Sequence, residues 1–360
     1  MVEPRILQRL TFFRGLGRKA LALIAEQAEI RDYENNAVVA TQHDRAIAVY
    51  FLLSGTVQFL IRVEGEDDLL VAVGREPGLI VGWAAFRAPY RYTTSARCEQ
   101  ACRFLRVPHD VFDRILNEDR ETGLLLMRRV AEAMAQRLEF ERESLLESGC
   151  GGVLGPSRAI DAVPPEPRRQ IEPADWDLRS ASGVADLLEH THFFEGMDGR
   201  LIAWLADQAV EMRVAAGTTL FRRQRVADRL YLVIAGRIGF VADDEEDAQG
   251  TMLRTLSGLG EPLGWSALDD PRRYRDTCVA LEPSRLRALP SLSLERLCEE
   301  EPDFGIALFK RVLQLIGSRL RSIRVGLVAR RYAKETLAVR ALLDQAAESL
   351  HVSSALHKIP

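Results

Sequence analysis

Apolar and polar residues follow two rhythms along this 360-residue chain. Residues 18–28 and 199–209 place apolar side chains at intervals of three and four, one face of a short helix. Runs of four to seven strand-forming residues follow, at 48–53 and 56–62, and again at 229–234 and 237–241. Each pair is split by a glycine turn, Ser54-Gly55 or Ala235-Gly236, which predicts a β-hairpin. A stretch punctuated by Gly and Pro comes next, then more strand. A long helix closes each half, over about 109–147 and 291–348. In the second of these, Phe304, Leu308, Val312, Ile316, Leu320, Ile323 and Leu327 form an apolar stripe. Arg319, Arg321, Arg324, Arg330 and Arg331 crowd the rest, which reads as a solvated face beside a dimer seam.

The two halves repeat one another. Thr11-Phe12-Phe13-Arg14-Gly15 returns as His192-Phe193-Phe194-Glu195-Gly196, and Tyr50-Phe51-Leu52-Leu53-Ser54-Gly55 as Tyr231-Leu232-Val233-Ile234-Ala235-Gly236. After a one-residue slip, Gly82-Trp83 matches Gly264-Trp265, Pro89 matches Pro271, Arg91-Tyr92 matches Arg273-Tyr274, and Arg137-Leu138 matches Arg319-Leu320. An offset of 181 to 182 residues is a duplicated domain rather than a solenoid repeat. The expected organisation is a first domain over 1–147, a linker over 148–185 rich in Gly, Pro and charge, a second domain over 186–327, and a helical extension over 328–360. Trp176, the only large aromatic in the linker, marks a candidate docking segment. Many short strands between helices predict a mainly β fold with flanking helices (α+β). That means two tandem jelly-roll-like β-rolls, each with an N-terminal helix and a long C-terminal one.

Composition narrows the function classes. With 47% hydrophobic and 28% charged residues, the chain reads as soluble and globular, with a core that needs no disulfide or metal. A net charge of −4 argues for no polyanionic partner. Only about 35 residues follow position 325, too few for a further helix-turn-helix domain, so nucleic acid is not expected as a partner. Cys98, Cys102, Cys150, Cys278 and Cys298 are odd in number and scattered, and read as reduced thiols. No apolar run reaches the ~18–20 residues of a membrane span, and the N-terminus lacks a signal peptide's apolar stretch, so a cytoplasmic protein is expected. His43, His109, His190, His192, His351 and His357 form no ligand set, so neither haem nor metal is expected. Asp243-Asp244-Glu245-Glu246-Asp247 reads as a solvated hairpin tip. No Gly-x-Ser-x-Gly, Walker A or Gly-x-Gly-x-x-Gly pattern occurs, and no enzymatic activity is expected.

The Phe-Phe-x-Gly start, the strand–Gly–strand unit and the Gly-x-x-Ala…Pro…Arg segment together resemble the cyclic-nucleotide-binding family. That family includes the catabolite activator proteins and the regulatory subunits of cyclic-AMP-dependent kinase. The resemblance spans about 6–145 and 187–325. It implies a phosphate-binding cassette, with cyclic AMP or cyclic GMP as the ligand. In such a cassette a short helix aims its N–H groups at the phosphate, an arginine forks onto the oxygens, and a glutamate holds the ribose 2′-hydroxyl. Here copy one offers Gly82, Trp83, Ala84, Ala85, Arg91, Thr93, Thr94 and Ser95. Copy two offers Gly264, Trp265, Ser266, Ala267, Arg273 and Thr277, with Arg272, Arg275 and Asp276 beside them. Tryptophan stands at the glutamate position in both copies and cannot accept a hydrogen bond. It reads either as core packing or as a stacking platform. The hydroxyls around Arg91 favour copy one as the liganded site, because Asp276 adds a like charge in copy two.

Two function classes remain open. One is a regulatory sensor of a small anion that relays a helix movement to a protein partner. The other is a degenerate scaffold that binds no nucleotide. A homo-oligomer joined through the long helices is expected in either case.

Overall fold

The computed structural model describes residues 2–62, 67–147, 181–242 and 251–356. The expected Trp176 docking segment and the acidic run at 243–247 lie outside the described residues.

Copy one begins with α1 (Pro4–Arg9) and α2 (Arg18–Gln27). The strands β1 (Glu29–Tyr33), β2 (Val38–Ala40), β3 (Ala48–Ser54), β4 (Val57–Ile61), β5 (Leu69–Gly74), β6 (Ile80–Val81), β7 (Ser95–Cys98) and β8 (Cys102–Pro108) follow. Two helices close it, α3 (His109–Glu118) and α4 (Arg120–Glu147). Copy two repeats this order: α5 (Ala181–His190), α6 (Gly199–Gln208), β9 (Val210–Val214), β10 (Thr219–Phe221), β11 (Arg229–Ala235), β12 (Ile238–Ala242), β13 (Thr251–Leu256), β14 (Pro262–Leu263), β15 (Thr277–Ala280), β16 (Ser284–Pro290), α7 (Ser291–Glu300) and α8 (Pro302–Leu356). Each copy is a sandwich of two antiparallel sheets. The orders β1-β8-β3-β6 and β2-β7-β4-β5 recur as β9-β16-β11-β14 and β10-β15-β12-β13. This is the tandem β-roll architecture expected from the repeat.

Four expectations change in detail. First, β3 and β4 form no hairpin: β3 pairs with β8 and β6, while β4 pairs with β7 and β5. The glycine between them carries the chain from one sheet to the other. Gly55 sits at φ +105°, and a Cβ there would stand 2.5 Å from the Ala101 carbonyl oxygen. Gly236 repeats this against Ser284. The hairpins are instead β4–β5 and β12–β13.

Second, each long helix is broken near its start. Asp119 caps α4, accepting from the Thr122 amide at 3.1 Å and its hydroxyl at 2.7 Å. Pro302 forces Glu301 out of helical geometry (φ −129°, ψ 78°) and then opens α8. Third, α5 starts at Ala181, inside the span expected to be linker, and α8 runs unbroken into the span expected as a separate extension, as far as Leu356.

Fourth, the apolar stripe of α8 has an intramolecular partner. Phe304, Leu308, Val312, Ile316, Leu320 and Ile323 share one buried cluster with Leu124, Met127, Val130 and Met134 of α4. Each fully buried leucine or isoleucine contributes about 1.5–3 kcal/mol. Arg120 meets Asp303 at 3.0 Å near the start of both helices, and Arg324 meets Glu141 at 2.8 Å nearly six turns on. The helices therefore run parallel along the seam between the copies. The argument for self-association through this stripe lapses, because copy one already covers it. No helix among the described residues is long and apolar enough to cross a membrane.

Candidate functional site

In each copy a short strand, β6 or β14, ends at a left-handed glycine, Gly82 (φ +92°) or Gly264 (φ +74°). Side chains are barred there: a Cβ would stand 2.8 Å from the Ala48 carbonyl oxygen in copy one and 2.9 Å from that of Arg229 in copy two. A single 3-10 turn follows, Trp83–Phe86 or Trp265–Leu268. Ala84, Ala85, Ser266 and Ala267 are buried in it.

The cassette arginines are bonded to loop carbonyls. Arg91 is exposed and donates to the His43 carbonyl at 2.8 Å, and Arg273 donates to the Gln224 carbonyl at 2.8 Å. Each pins a loop. The hydroxyls are also engaged in structure. Ser95 accepts from the Gln42 amide and Thr277 from the Arg223 amide, both at 3.0 Å. Thr93 accepts from Arg324 of α8 at 3.2 Å. Thr94 is half-buried.

In copy two the turn closes on a small cavity between the β-roll and α8. Phe221, Phe240, Trp265 and Tyr274 supply its apolar walls, and Ser266, Arg275, Asp276 and Arg319 its polar ones. Arg273 is not part of the lining. The cavity sits in a dense ion network. Asp276 is bonded to Arg142, which reaches across from α4 of copy one and also donates to the Arg275 carbonyl at 2.7 Å. Arg275 pairs with Asp269 and, at 2.9 Å, with Glu139; Arg223 also meets Glu139 at 2.9 Å.

Two arginines stand outside this pairing. Arg319 lies 5.7 Å from the Trp265 ring centre and 5.8 Å from that of Phe240, and Arg254 stacks on the same Phe240 ring at 3.5 Å. Arg319 Nε and Nη2 and Arg254 Nη2 are buried without a hydrogen-bond partner. Neither arginine forms a salt bridge among the described residues. Burial and the Arg254 charge push the Arg319 guanidinium well below its usual range. Burial alone would raise Asp276, but Arg142, Arg254 and Arg319 outweigh it and hold the carboxyl low.

The model of the cyclic nucleotide-binding domain matches residues 30–119 and 211–301, together half of the chain. The chain belongs to the cyclic nucleotide-binding domain family. Among solved structures, it resembles the regulatory domain of Toxoplasma gondii protein kinase A with cAMP, at 17% identity over 83% of this chain and 92% of that one (TM-score 0.31). It also resembles the regulatory subunit of a cAMP-independent protein kinase A from Trypanosoma brucei, at 12% identity over 83% and 91% (TM-score 0.29). A cyclic nucleotide-binding domain from Methylobacillus flagellatus matches at 13% identity over 41% and 82% (TM-score 0.35). No curated protein matches the chain.

The two cyclic nucleotide-binding domains differ at one decisive position. Arg137 is the repeat equivalent of Arg319. It bonds Glu141 at 2.6 Å, and Arg324 forks onto the same carboxylate with two bonds of 2.8 Å. Glu141 is 0% exposed, and although burial opposes its charge, Arg324 and Arg137 hold its pKa low. The repeat offset places Ile323 at the matching position of copy two, so Arg319 has no carboxylate four residues on. Trp83 is half-buried under Gly317 of α8, where a Cβ would stand 3.3 Å from the ring, while Trp265 is 2% exposed in the cavity wall.

The cavity and the unpaired Arg319 lie in copy two, whereas the sequence favours copy one. Arg254, Arg319 and Arg142 were missed in the sequence. The Arg137-Leu138 repeat of Arg319-Leu320 is the signal that bears on Arg319. Nothing in the sequence pattern marks Arg254, whose counterpart in copy one is Ala72 by strand register.

Proposed function

We propose that this chain is a non-enzymatic regulatory sensor that takes a small anion in the copy-two cavity. The observation that supports this reading most is Arg319, a buried cation without a bonded counter-charge beside a cavity, whereas its copy-one equivalent, Arg137, is bonded to Glu141. A buried guanidinium lacking partners is costly, and an anion that supplies them recovers that cost. Arg142 brings the copy-one helix into the copy-two cassette and Arg324 brings the copy-two helix to Thr93. An anion in the cavity would thereby change the α4–α8 seam, the route by which ligand state reaches a protein partner.

Calorimetric titration of the full chain with cyclic AMP, cyclic GMP, cyclic dinucleotides and simple oxyanions tests the reading. At least one should bind, and Arg319→Met should weaken it by about 10- to 100-fold, the worth of a hydrogen bond to a charged group. Silence across the panel, or equal binding by Arg319→Met, would overturn it. A second reading, a docking module that holds no nucleotide, draws on Trp265. Its ring is buried in the cavity wall and stands where the family's sugar-binding glutamate is expected. Silence across the panel would favour that reading.

A further inference from the structure

We infer that the copy-two cavity takes a small apolar monocarboxylate, which Arg319 holds as Arg324 holds Glu141 in copy one. This rests on the reading of copy two as an anion site and names the chemical class of its ligand.

Arg319 leaves one edge of its guanidinium unanswered. Its Nε and Nη2 are both buried without a hydrogen-bond partner, and among the described residues no other arginine has both of these donors in that state. The two N–H groups lie on the same side of the planar guanidinium and point the same way. That fork fits the two oxygens of a carboxylate. Copy one shows the fork filled. Arg324 gives Nε to Glu141 Oε2 and Nη2 to Oε1, both at 2.8 Å, and Arg137 meets the same carboxylate at 2.6 Å. Arg137 and Arg319 are repeat equivalents. Each stands over the equivalent ring, Phe59 at 3.8 Å and Phe240 at 5.8 Å. In copy one the carboxylate arrives on the same helix, one turn on. In copy two that place is Ile323, which leaves the carboxylate to a ligand.

The cavity wall calls for a single negative charge. Its charged residues are Arg275, Asp276 and Arg319. Asp276 is answered by Arg142, and Arg275 by Asp269 and Glu139. Arg319 is the wall cation without a salt bridge among the described residues. Arg254 lies outside the wall, stacked on the Phe240 ring. A monocarboxylate balances Arg319. Sulfate would set a second negative charge inside the same walls as Asp276, and that is expensive away from water.

Wall chemistry and size define the rest of the molecule. Phe221, Phe240, Trp265 and Tyr274 line the cavity and favour an apolar tail over a sugar. The empty space is about 180 Å³ with the open mouth included, below the ~300 Å³ at which ordinary small-molecule sites begin. A short-chain acid such as butyrate suits that space, and a nucleotide does not.

The test is calorimetry on the full chain at fixed ionic strength and pH 7. The probes are sodium acetate, sodium butyrate, sodium sulfate and cyclic AMP. Butyrate should bind about fourfold tighter than acetate for each methylene that enters the cavity. It should bind about tenfold or more tighter than sulfate or cyclic AMP. Arg319→Met should weaken butyrate binding by about 10- to 100-fold. Arg319→Lys keeps the charge but loses the fork, and should weaken it as well. Ile323→Glu, which gives copy two the side chain that copy one uses, should abolish butyrate binding while circular dichroism shows the fold retained. Should the variants fail to fold, the parent's ligand ranking still decides. Sulfate or cyclic AMP binding as tightly as butyrate overturns this inference and leaves anion sensing standing, whereas no binding by any probe overturns both. Acetate matching butyrate overturns the apolar class. Undiminished butyrate binding by a folded Arg319→Lys or Ile323→Glu chain overturns the fork.

Discussion

Glu141→Gln is the most informative single change outside the cavity. The carboxylate is completely buried at the seam between the copies, with Arg324 forked on it at 2.8 Å and Arg137 at 2.6 Å. Arg137 also stacks on Phe59 at 3.8 Å, inside the copy-one roll. Glutamine preserves shape but removes the charge that both guanidinium groups face. Breaking a buried ion pair by removing one partner costs about 3–5 kcal/mol, because the remaining charge stays buried. An exposed pair is worth about 0–1 kcal/mol. Glu143, 49% exposed and paired with Arg223 at 3.0 Å, is therefore the control, and Glu143→Gln should cost about 0.5 kcal/mol or less. Urea unfolding monitored by circular dichroism reads both.

The pH dependence adds a second signature. Arg324 and Arg137 hold the folded pKa of Glu141 below its unfolded value of about 4.3. A lowered folded pKa contributes stability that is fully present above the unfolded value. That stability is lost as pH falls through the folded one. The parent should therefore lose stability below about pH 4 in a step that Glu141→Gln lacks. If Glu141→Gln lies within about 0.5 kcal/mol of the parent at pH 7, the seam is not held by this triad.

Other consequences are open to direct measurement. Gly55→Ala and Gly236→Ala place a Cβ against backbone at positive φ, and each should cost about 1–3 kcal/mol in urea unfolding; a neutral result would show that the turn can relax. Gly317→Leu pushes into Trp83 and Arg87 across the seam and should destabilise by about 1–3 kcal/mol, with a change in Trp83 fluorescence. Burial, with Asp269 and Asp270 close by, raises Glu132 despite its bond to Arg129. A raised folded pKa makes the charged form a cost, so its stabilising contribution is present at low pH and lost as pH rises through the folded value. Glu132→Gln should accordingly raise the unfolding midpoint at pH 7, with the gap to the parent closing toward pH 4; a lower midpoint at pH 7 would refute the sign.

The sequence by itself determined the duplication, the strand-rich rolls, the helix α2 nearly to the residue and the place of both cassettes. These are local or self-referential signals. A repeat is visible without knowing any contact, and a glycine such as Gly82 or a proline such as Pro302 acts on its own backbone. What the tertiary structure decided were partners. The alternation in β3 and β4 is the same whether the two strands pair with each other or lie in opposite sheets, so the missing hairpin left no trace in it. The stripe on α8 shows that a partner exists, but only the packed chain shows that α4 supplies it. Arg91 and Arg273 sit where the family's phosphate contacts are expected, yet loop carbonyls brought near by the fold claim both. The distinction between the copies is subtler still. Arg137 and Arg319 look alike in the repeat. Their difference lies in one turn of helix, Glu141 against Ile323, and in a strand residue, Ala72 against Arg254. Charge balance in a buried site is a sum over neighbours far apart in the chain, and no window along the sequence contains that sum.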